Sequence, residues 1–388
     1  MRFRGQHATL TAAVSMLGAL GLALAGAGCG EKIAIPQPVG LFSVAAWLED
    51  DAFVDPDARQ VAQSLAGLFV VTPDSVTKRD LEYNIVAGAG GLVDATAVCV
   101  GPNDEVVYVW DQGTHSLHWY AVSDLQELGS TPLPEVLDAR QLFADPAGIE
   151  MVPGARTFLY LTDPESGVVH RYAFDDFNGP SAFGILTRSE GDGARSVHVA
   201  AGMATDAEGY LLVCDADTLR NWVIRFDGTP DLDDTTPAVG DDDPLRGRAV
   251  EFEVTCEPSA ATDFVLGDAA ICGQSGWVGA PSTEAGEFDT PVAVAVDGSG
   301  RIFVADQGNN RVQVFTPGGQ YFLQFGTATT CPAPSSMALV DVRVGTGIDD
   351  VNHAAYVFVV TPGTGHVRRF ISNEHYIYIH REPPPVRP

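Results

Sequence analysis

The chain alternates short apolar runs with turns rich in glycine, asparagine and proline, most clearly over residues 291–326. This stretch reads PVAVAVDGSGRIFVADQGNNRVQVFTPGGQYFLQFG. Its runs alternate apolar and polar residues, and turns such as VDGSGR and TPGGQ separate them. A period of two is typical of β-strands, because successive side chains point to opposite faces of a sheet. The pattern therefore predicts a four-stranded antiparallel meander.

The second run of this meander recurs along the chain, with Asp306 at its end and Phe315 nine residues later. Matching segments have their equivalents of Asp306 at Thr72, Asp111, Asp163, Asp215 and Thr361. Units of a few strands bury their faces only by packing against each other, and radial packing achieves this. The predicted fold class is all-β, a six-bladed β-propeller of four-stranded antiparallel blades.

The sequence leaves three details of the repeat open. The interval between Asp215 and Asp306 (306 − 215 = 91 residues) accommodates a seventh blade or an insertion. We favour an insertion at about 227–290, with AVEFEV (249–254) as the fourth strand of blade four. The closing strand comes from HYIYIH (375–380) or from the start of the mature chain. Residues 57–67 have the spacing of a short helix.

Residues 290–326 resemble an NHL repeat, a class of propeller blade. The features are a proline at the start, VAVD before a glycine turn, then VAD, NNR, VF and a closing FG. The other five units match by register rather than by identity. The resemblance implies a six-bladed propeller that serves as a binding platform or, as in a few such proteins, as an extracytoplasmic lyase or hydrolase.

The N-terminal segment has the features of an export signal, with basic Arg2 and Arg4 before an apolar run at 10–25. It ends in LALAGAGCG, which resembles a bacterial lipoprotein signal with Cys29 as the lipidated residue. Gly26 departs from the usual leucine, and ordinary secretion is the alternative. By resemblance to lipoprotein sorting, Gly30 rather than Asp after this cysteine favours the outer membrane. The predicted organisation is a signal peptide (1–28), a linker (29–35), a propeller (36–381) and a tail (382–388).

The charge of the chain limits its partners. It has 22 Lys and Arg against 51 Asp and Glu, a net of −29. Such a surface repels nucleic acid and anionic lipid, so the predicted partners are the membrane through the lipid anchor and a protein, peptide or glycan. Calcium is the one candidate cation, at the acidic loop 227–248. The aspartates there fit no EF-hand spacing and prolines interrupt them, so we favour a solvated loop and assign no cofactor and no metal ligands.

The cysteines predict one disulfide and two buried thiols. Cys256 and Cys272 bracket part of the long loop, and a bond between them would restrain it. Cys331 lies in the next loop and could compete for either partner. Cys99 and Cys214 lie in apolar strand runs, which predicts buried thiols.

Candidate functional residues come from departures from the repeat. The strand-ending aspartates are expected to cap their own turns by side-chain hydrogen bonds rather than to bind a metal. Aligning the predicted innermost strands puts Glu150 in the register of Ala295. We predict that Glu150, Asp341 and Arg343 form a polar cluster toward the central channel, either a ligand site or, as we favour, a salt-bridge network.

No catalytic residues are assigned, because the sequence contains no HExxH, GxSxG or P-loop motif. The predicted function is that of an extracytoplasmic, membrane-anchored propeller that acts as a non-catalytic binding protein or scaffold. The alternative is an extracytoplasmic lyase or hydrolase with its site at the mouth of the channel.

Overall fold

A computed structural model describes residues 47–343, 352–373 and 375, apart from residues 81, 147–156, 176–178, 186–196, 207–210, 219, 227–264 and 267–280. The described residues belong to one compact unit that begins at Ala45. They form six sheets, each of four antiparallel strands, so the fold is the predicted six-bladed β-propeller.

The strands are short, and successive strands pair as hairpins. In chain order they are β1 (Trp47–Val54), β2 (Gln60–Ser64), β3 (Gly67–Thr72), β4 (Ser75–Arg79), β5 (Ile85–Gly90), β6 (Ala95–Val100), β7 (Val106–Asp111), β8 (Ser116–Ala121), β9 (Glu127–Pro132), β10 (Gln141–Pro146), β11 (Thr157–Asp163), β12 (Val168–Asp175), β13 (Gly179–Ile185), β14 (Ala200–Thr205), β15 (Leu211–Asp215), β16 (Trp222–Phe226), β17 (Val265–Leu266), β18 (Pro291–Val296), β19 (Ile302–Asp306), β20 (Arg311–Phe315), β21 (Tyr321–Phe325), β22 (Ser336–Arg343), β23 (Asn352–Thr361) and β24 (His366–Ser372). A 3₁₀ turn, Pro362–Thr364, joins the last two.

Blades one to five each use four successive strands, starting with β2, β6, β10, β14 and β18 as the innermost strands. Blade six combines β22, β23 and β24 with β1, which is its outermost strand. The start of the propeller thus closes the ring, one of the two alternatives left open by the sequence. Of the other alternative, HYIYIH (375–380), only His375 belongs to the described residues.

Opposite charges hold the closing strand in register. β1 reads WLEDDAFV and runs antiparallel to the basic β24, HVRRFIS. Arg369 donates to both carboxylate oxygens of Asp50 at 3.1 and 2.8 Å, and Arg368 donates to Glu49. Because a slip by one residue would move every side chain to the other face, these pairs specify the register.

The repeat register is confirmed. The second strand of each blade ends at one of the six equivalent positions, namely Thr72, Asp111, Asp163, Asp215, Asp306 and Thr361. All six side chains are buried. Each therefore requires hydrogen-bond partners inside the protein, since an unpaired buried polar group is costly.

Two local predictions were wrong. The segment 57–67 is not a helix, because Gln60–Ser64 forms the innermost strand of blade one; most of this strand is buried, which hides the period of two. The innermost strand of blade three is Gln141–Pro146, so Phe143 rather than Glu150 takes the register of Ala295. Glu150 itself lies outside the described residues.

Blade four closes differently from the prediction. Its fourth strand is Val265–Leu266, which pairs with Val223 and Ile224 of β16. The predicted strand AVEFEV, the acidic loop and the seventh-blade alternative concern residues 227–264, which are not described. β17 lies within the segment predicted as an insertion, so this segment includes a part of the blade.

Apolar side chains fill the spaces between neighbouring blades, and buried polar side chains connect the innermost strands. Gln60 Oε1 accepts a hydrogen bond from Val98 N in blade two, and Gln141 Oε1 accepts one from Met203 N in blade four. Gly202 allows close approach of the blades on both sides, because a Cβ there would lie 2.9 Å from Gln141 Oε1 and 2.6 Å from Ala293 Cα and Val292 O of blade five. The inner ends of the blades are therefore tightly joined.

Cys99, Cys214 and Cys331 are buried free thiols, as predicted for the first two. Burial raises the pKa of all three thiols, that of Cys331 to about 12. The described part of the chain holds no disulfide. Cys29, Cys256 and Cys272 lie outside it, so their predicted lipidation and pairing remain predictions.

Candidate functional site

The strand-ending aspartates fix the loops that lead into the innermost strands. Asp111 Oδ1 and Oδ2 accept hydrogen bonds from Asp94 N at 2.8 Å and Val93 N at 3.1 Å. They also accept from Gly113 N and Thr114 Oγ1 in the turn that follows. Burial opposes ionisation of Asp111, but these donors outweigh it and hold its pKa below the usual value. One carboxylate thus connects a loop and a turn.

The same arrangement recurs in blades three to five. Asp163 accepts from Leu137 N and Asp138 N, Asp215 accepts from His198 N and Val199 N, and Asp306 accepts from Asp289 N. The capping of turns predicted from the sequence is therefore present, and a second role in fixing the preceding loop was missed. We call the end of the blades formed by these loops and turns the loop face.

Blades two and three expose apolar side chains on the loop face. Val93 is 63% exposed and Leu137 is 42% exposed, although both backbones are held by a buried aspartate. Val93 lies against the turn of blade two, where a Cβ on Gly113 would be 2.7 Å from its side chain. Gln112 from the same turn donates to Leu137 O. The turn therefore connects the two exposed residues into one surface.

Ion pairs flank these apolar residues. Arg59 Nη1 lies 2.6 Å from Asp94 Oδ1 and donates to Ala95 O at 3.1 Å, which joins blade one to blade two. Arg140 Nη2 lies 2.7 Å from Asp138 Oδ2, and its side chain is 61% exposed. The surface formed by Arg59, Val93, Asp94, Leu137, Asp138 and Arg140 is called the Val93–Leu137 patch below. It offers two apolar anchors and four charges at fixed positions.

The loop that carries Leu137 is also fixed from its other side. His115 O accepts a hydrogen bond from Leu133 N at 2.9 Å, and the His115 ring lies 3.0 Å from Val136 O. Tyr172 Oη donates to Glu135 at 2.6 Å. A loop with this many bonds loses little conformational freedom on binding, so more of the contact energy contributes to affinity.

A short pattern in the sequence could have located this patch. An apolar residue directly followed by an aspartate lies two to four residues before the first residue of the innermost strand, in GLVDATAV, EVLDARQL and EFDTPVAV. In blade five the equivalent residue is Phe288, which is buried and packs on Phe315 with ring centres 5.6 Å apart. Val93 and Leu137 differ from it in facing outward, and only the structure reveals this difference.

The predicted polar cluster is tested only in part. Asp341 lies near the end of β22, is exposed and accepts a hydrogen bond from Gly298 N at 2.8 Å. Arg343 ends this strand, but its side chain is outside the described residues, as is all of Glu150. The cluster of Glu150, Asp341 and Arg343 therefore stays a prediction.

A partly exposed histidine–carboxylate pair also lies on the loop face. His198 Nδ1 is 3.0 Å from Asp217 Oδ2, and the imidazole is 38% exposed. Among the described residues no group of three His, Cys, Asp or Glu side chains could hold a metal ion. No helix in the described part of the chain has the length and apolar character needed to cross a membrane.

The fold and the register define the class of this protein: it is a six-bladed β-propeller whose blades are fastened by strand-ending Asp or Thr residues. Comparison with family models identifies an NHL repeat at residues 288–315, in blade five. The other blades share its register. No curated protein matches the sequence.

Several solved structures are similar to this chain at low identity. A streptogramin B lyase is 10% identical (TM-score 0.48), and the match covers 85% of this chain and 98% of that one. The Swd1 β-propeller domain from Myceliophteria thermophila is 11% identical (TM-score 0.49), with coverage of 82% and 98%. Virginiamycin B lyase from Staphylococcus aureus is 8% identical (TM-score 0.47), with coverage of 84% and 99%. These similarities concern the fold alone.

Proposed function

We propose that this protein is an extracytoplasmic, lipid-anchored binding propeller, and that the Val93–Leu137 patch binds a protein or peptide partner. The observation that carries the proposal is the exposure of Val93 and Leu137 on loops fixed by Asp111 and Asp163. Exposed apolar side chains in mobile loops are common on any surface. Their placement on a rigid frame, with charges around them, is typical of a recognition surface.

The chemistry of the patch favours a partner with an apolar anchor and charged flanks. Val93 and Leu137 can bury apolar area, while Arg59 with Asp94 and Arg140 with Asp138 can exchange their present partners for groups of the ligand. Peptides and protein loops combine these features. A glycan would require polar and aromatic contacts, so the patch supports a protein or peptide better than a glycan.

A photo-crosslinking experiment in cells tests the binding role. A photoreactive phenylalanine analogue at position 93 or 137 is expected to give a discrete adduct with a partner. The matched control is position 86 on the outermost strand of blade one, because Val86 is also exposed, at 56%. Equal labelling from all three positions, or no adduct from 93 and 137, would contradict the proposed surface.

The anchoring is tested separately at Cys29. Metabolic labelling with a fatty-acid analogue is expected to mark the wild-type protein and not Cys29→Ala. The variant should leave the membrane fraction while its folded domain still gives adducts from position 93. An unlabelled wild-type protein would refute the lipid anchor without affecting the proposed binding surface.

A second candidate function, an extracytoplasmic lyase or hydrolase, is favoured by the His198–Asp217 pair. A carboxylate 3.0 Å from Nδ1 can orient an imidazole as a general base. We expect any such activity on ester or lactone substrates to be lost in His198→Ala and strongly reduced in Asp217→Asn. Turnover that is unchanged in His198→Ala would remove this histidine from the reaction.

A further inference from the structure

A buried guanidinium lies on the side of blade three that faces blade four. Arg171 in β12 is 2% exposed. Its Nε and Nη1 atoms have no hydrogen-bond partner among the described residues. A guanidinium has five N–H donors and keeps its charge under all conditions in which proteins are folded. These two nitrogen atoms carry three N–H donors, which need an acceptor.

The alternation of side chains along β12 fixes the direction of Arg171. Its neighbours Tyr172 and Phe174 pack into the apolar cluster with Trp110 and Leu117 of blade two. Successive residues of a strand point to opposite faces, so Arg171 points away from blade two and toward blade four. This site is thus separate from the Val93–Leu137 patch and independent of its function.

Aromatic residues cover one side of the guanidinium. Its carbon atom lies 5.5 Å from the centre of the Phe158 ring, and Tyr160 is its cross-strand neighbour on β11. Both aromatic residues are buried. An aromatic face attracts the positive charge but does not replace an oxygen acceptor for the N–H groups. On the other side the cross-strand neighbour of Arg171 is Gly184.

Other buried arginines in the described part of the chain have carboxylate partners, which Arg171 lacks. Arg311 is paired with Asp306 and donates to three backbone carbonyls, and Arg220 Nη1 lies 3.8 Å from Asp215 Oδ2. A buried charge without such compensation is strongly unfavourable. We propose that Arg171 is the centre of an anion-binding site between blades three and four, which binds a carboxylate or phosphate group through Nε and Nη1.

The overall charge of the chain makes this site experimentally accessible. The net charge of −29 disfavours nonspecific binding of anions to the surface. Phosphate also stabilises proteins nonspecifically, without saturation, so only a saturable change that depends on Arg171 reports on this site. Carboxylate and phosphate are the two groups that match a guanidinium in charge and geometry.

The test measures thermal unfolding of the full mature chain while sodium chloride is replaced by sodium phosphate or sodium acetate at constant ionic strength. Binding to the folded state should raise the midpoint in a saturable way, because a ligand that binds only the folded state stabilises it. We expect this rise in wild type and in the control Arg140→Met, and no rise in Arg171→Met. The more effective salt identifies the preferred group.

A direct binding measurement covers the case in which Arg171→Met does not fold. Calorimetric titration of wild type with inorganic phosphate and with acetate should give saturable binding of one anion per chain. Arg171→Lys, which keeps the charge with fewer donors, should bind several-fold more weakly. Absence of saturable binding of either anion to wild type, or equal midpoint shifts in wild type and Arg171→Met, overturns the proposal.

Discussion

Arg311 is the most extensively bonded cation of the best-matching blade, and its replacement by methionine should destabilise the fold. The side chain is 7% exposed, and its Nε donates to Asp306 Oδ2 at 2.7 Å. Its Nη atoms donate to the carbonyl oxygens of Thr283, Glu284 and Glu287 at 2.8 to 2.9 Å. The residue thus holds the loop before blade five against the hairpin of that blade.

Methionine keeps much of the apolar stem of Arg311 and removes all of these bonds. Removing one partner of a buried ion pair costs about 3–5 kcal/mol, because the other charge is left buried and unpaired. With an unfolding entropy of about 2.1 cal/mol/K per residue over about 330 residues, the midpoint should fall by about 4–7 °C. Scanning calorimetry measures this change.

The control is Arg140→Met, which removes an ion pair of the same length, 2.7 Å, from an exposed position. Surface pairs contribute about 1 kcal/mol or less, so this variant should stay within about 1–2 °C of wild type. Hydrogen exchange should show that Arg311→Met loosens residues 281–290 first. Equal losses in the two variants would refute the assignment of stability to the buried network.

Three further predictions concern the frame of the propeller. Burial would raise the pKa of Asp163, but hydrogen bonds from His170, Leu137 and Ser166 outweigh it and hold this pKa well below its usual range. Ionised Asp163 therefore stabilises the folded state fully above its unfolded pKa of about 4, and this stabilisation is lost as the pH falls through the folded value. Asp163→Asn lacks this ionisation. Thermal scans should therefore show a smaller loss of stability between pH 5 and 3 in this variant than in wild type. Gly202→Ala should cost about 1–3 kcal/mol in urea unfolding, because its Cβ meets backbone atoms at 2.6 Å, whereas Gly363→Ala has open space and should be near neutral. Arg369→Ala should cost about 1 kcal/mol and speed hydrogen exchange in residues 47–54, while unchanged exchange there would contradict its role in closure.

The sequence predicted the parts of the fold that a repeated local rule determines. The second strand of each blade ends at a polar residue followed by a turn. The register of the repeat from Thr72 to Thr361 could therefore be recognised from the local sequence, without knowledge of long-range contacts. The innermost strands were harder to predict, because burial on both faces removes the alternation of apolar and polar residues. This is why Gln60–Ser64 suggested a helix and why Glu150 was aligned in place of Phe143.

The candidate site was less predictable than the fold. The LVD, VLD and EFD segments share one pattern, yet Phe288 is buried and Val93 and Leu137 are exposed. The difference depends on how each loop packs on the neighbouring turn, which is a tertiary contact. Arg171 was missed for a similar reason, since no local pattern reveals that a cation in a strand lacks an acceptor.

The pairing of β1 with β24 makes the order of synthesis matter. Asp50 and Arg369 are 319 residues apart, and closing a loop of this length costs about 5 kcal/mol by (3/2)RT ln n. β1 therefore has no partner strand until β24 has been synthesised. During this time its acidic residues Glu49, Asp50 and Asp51 disfavour pairing with another chain, since charged edges resist association. The charges that fix the final register thus also protect the nascent chain from aggregation.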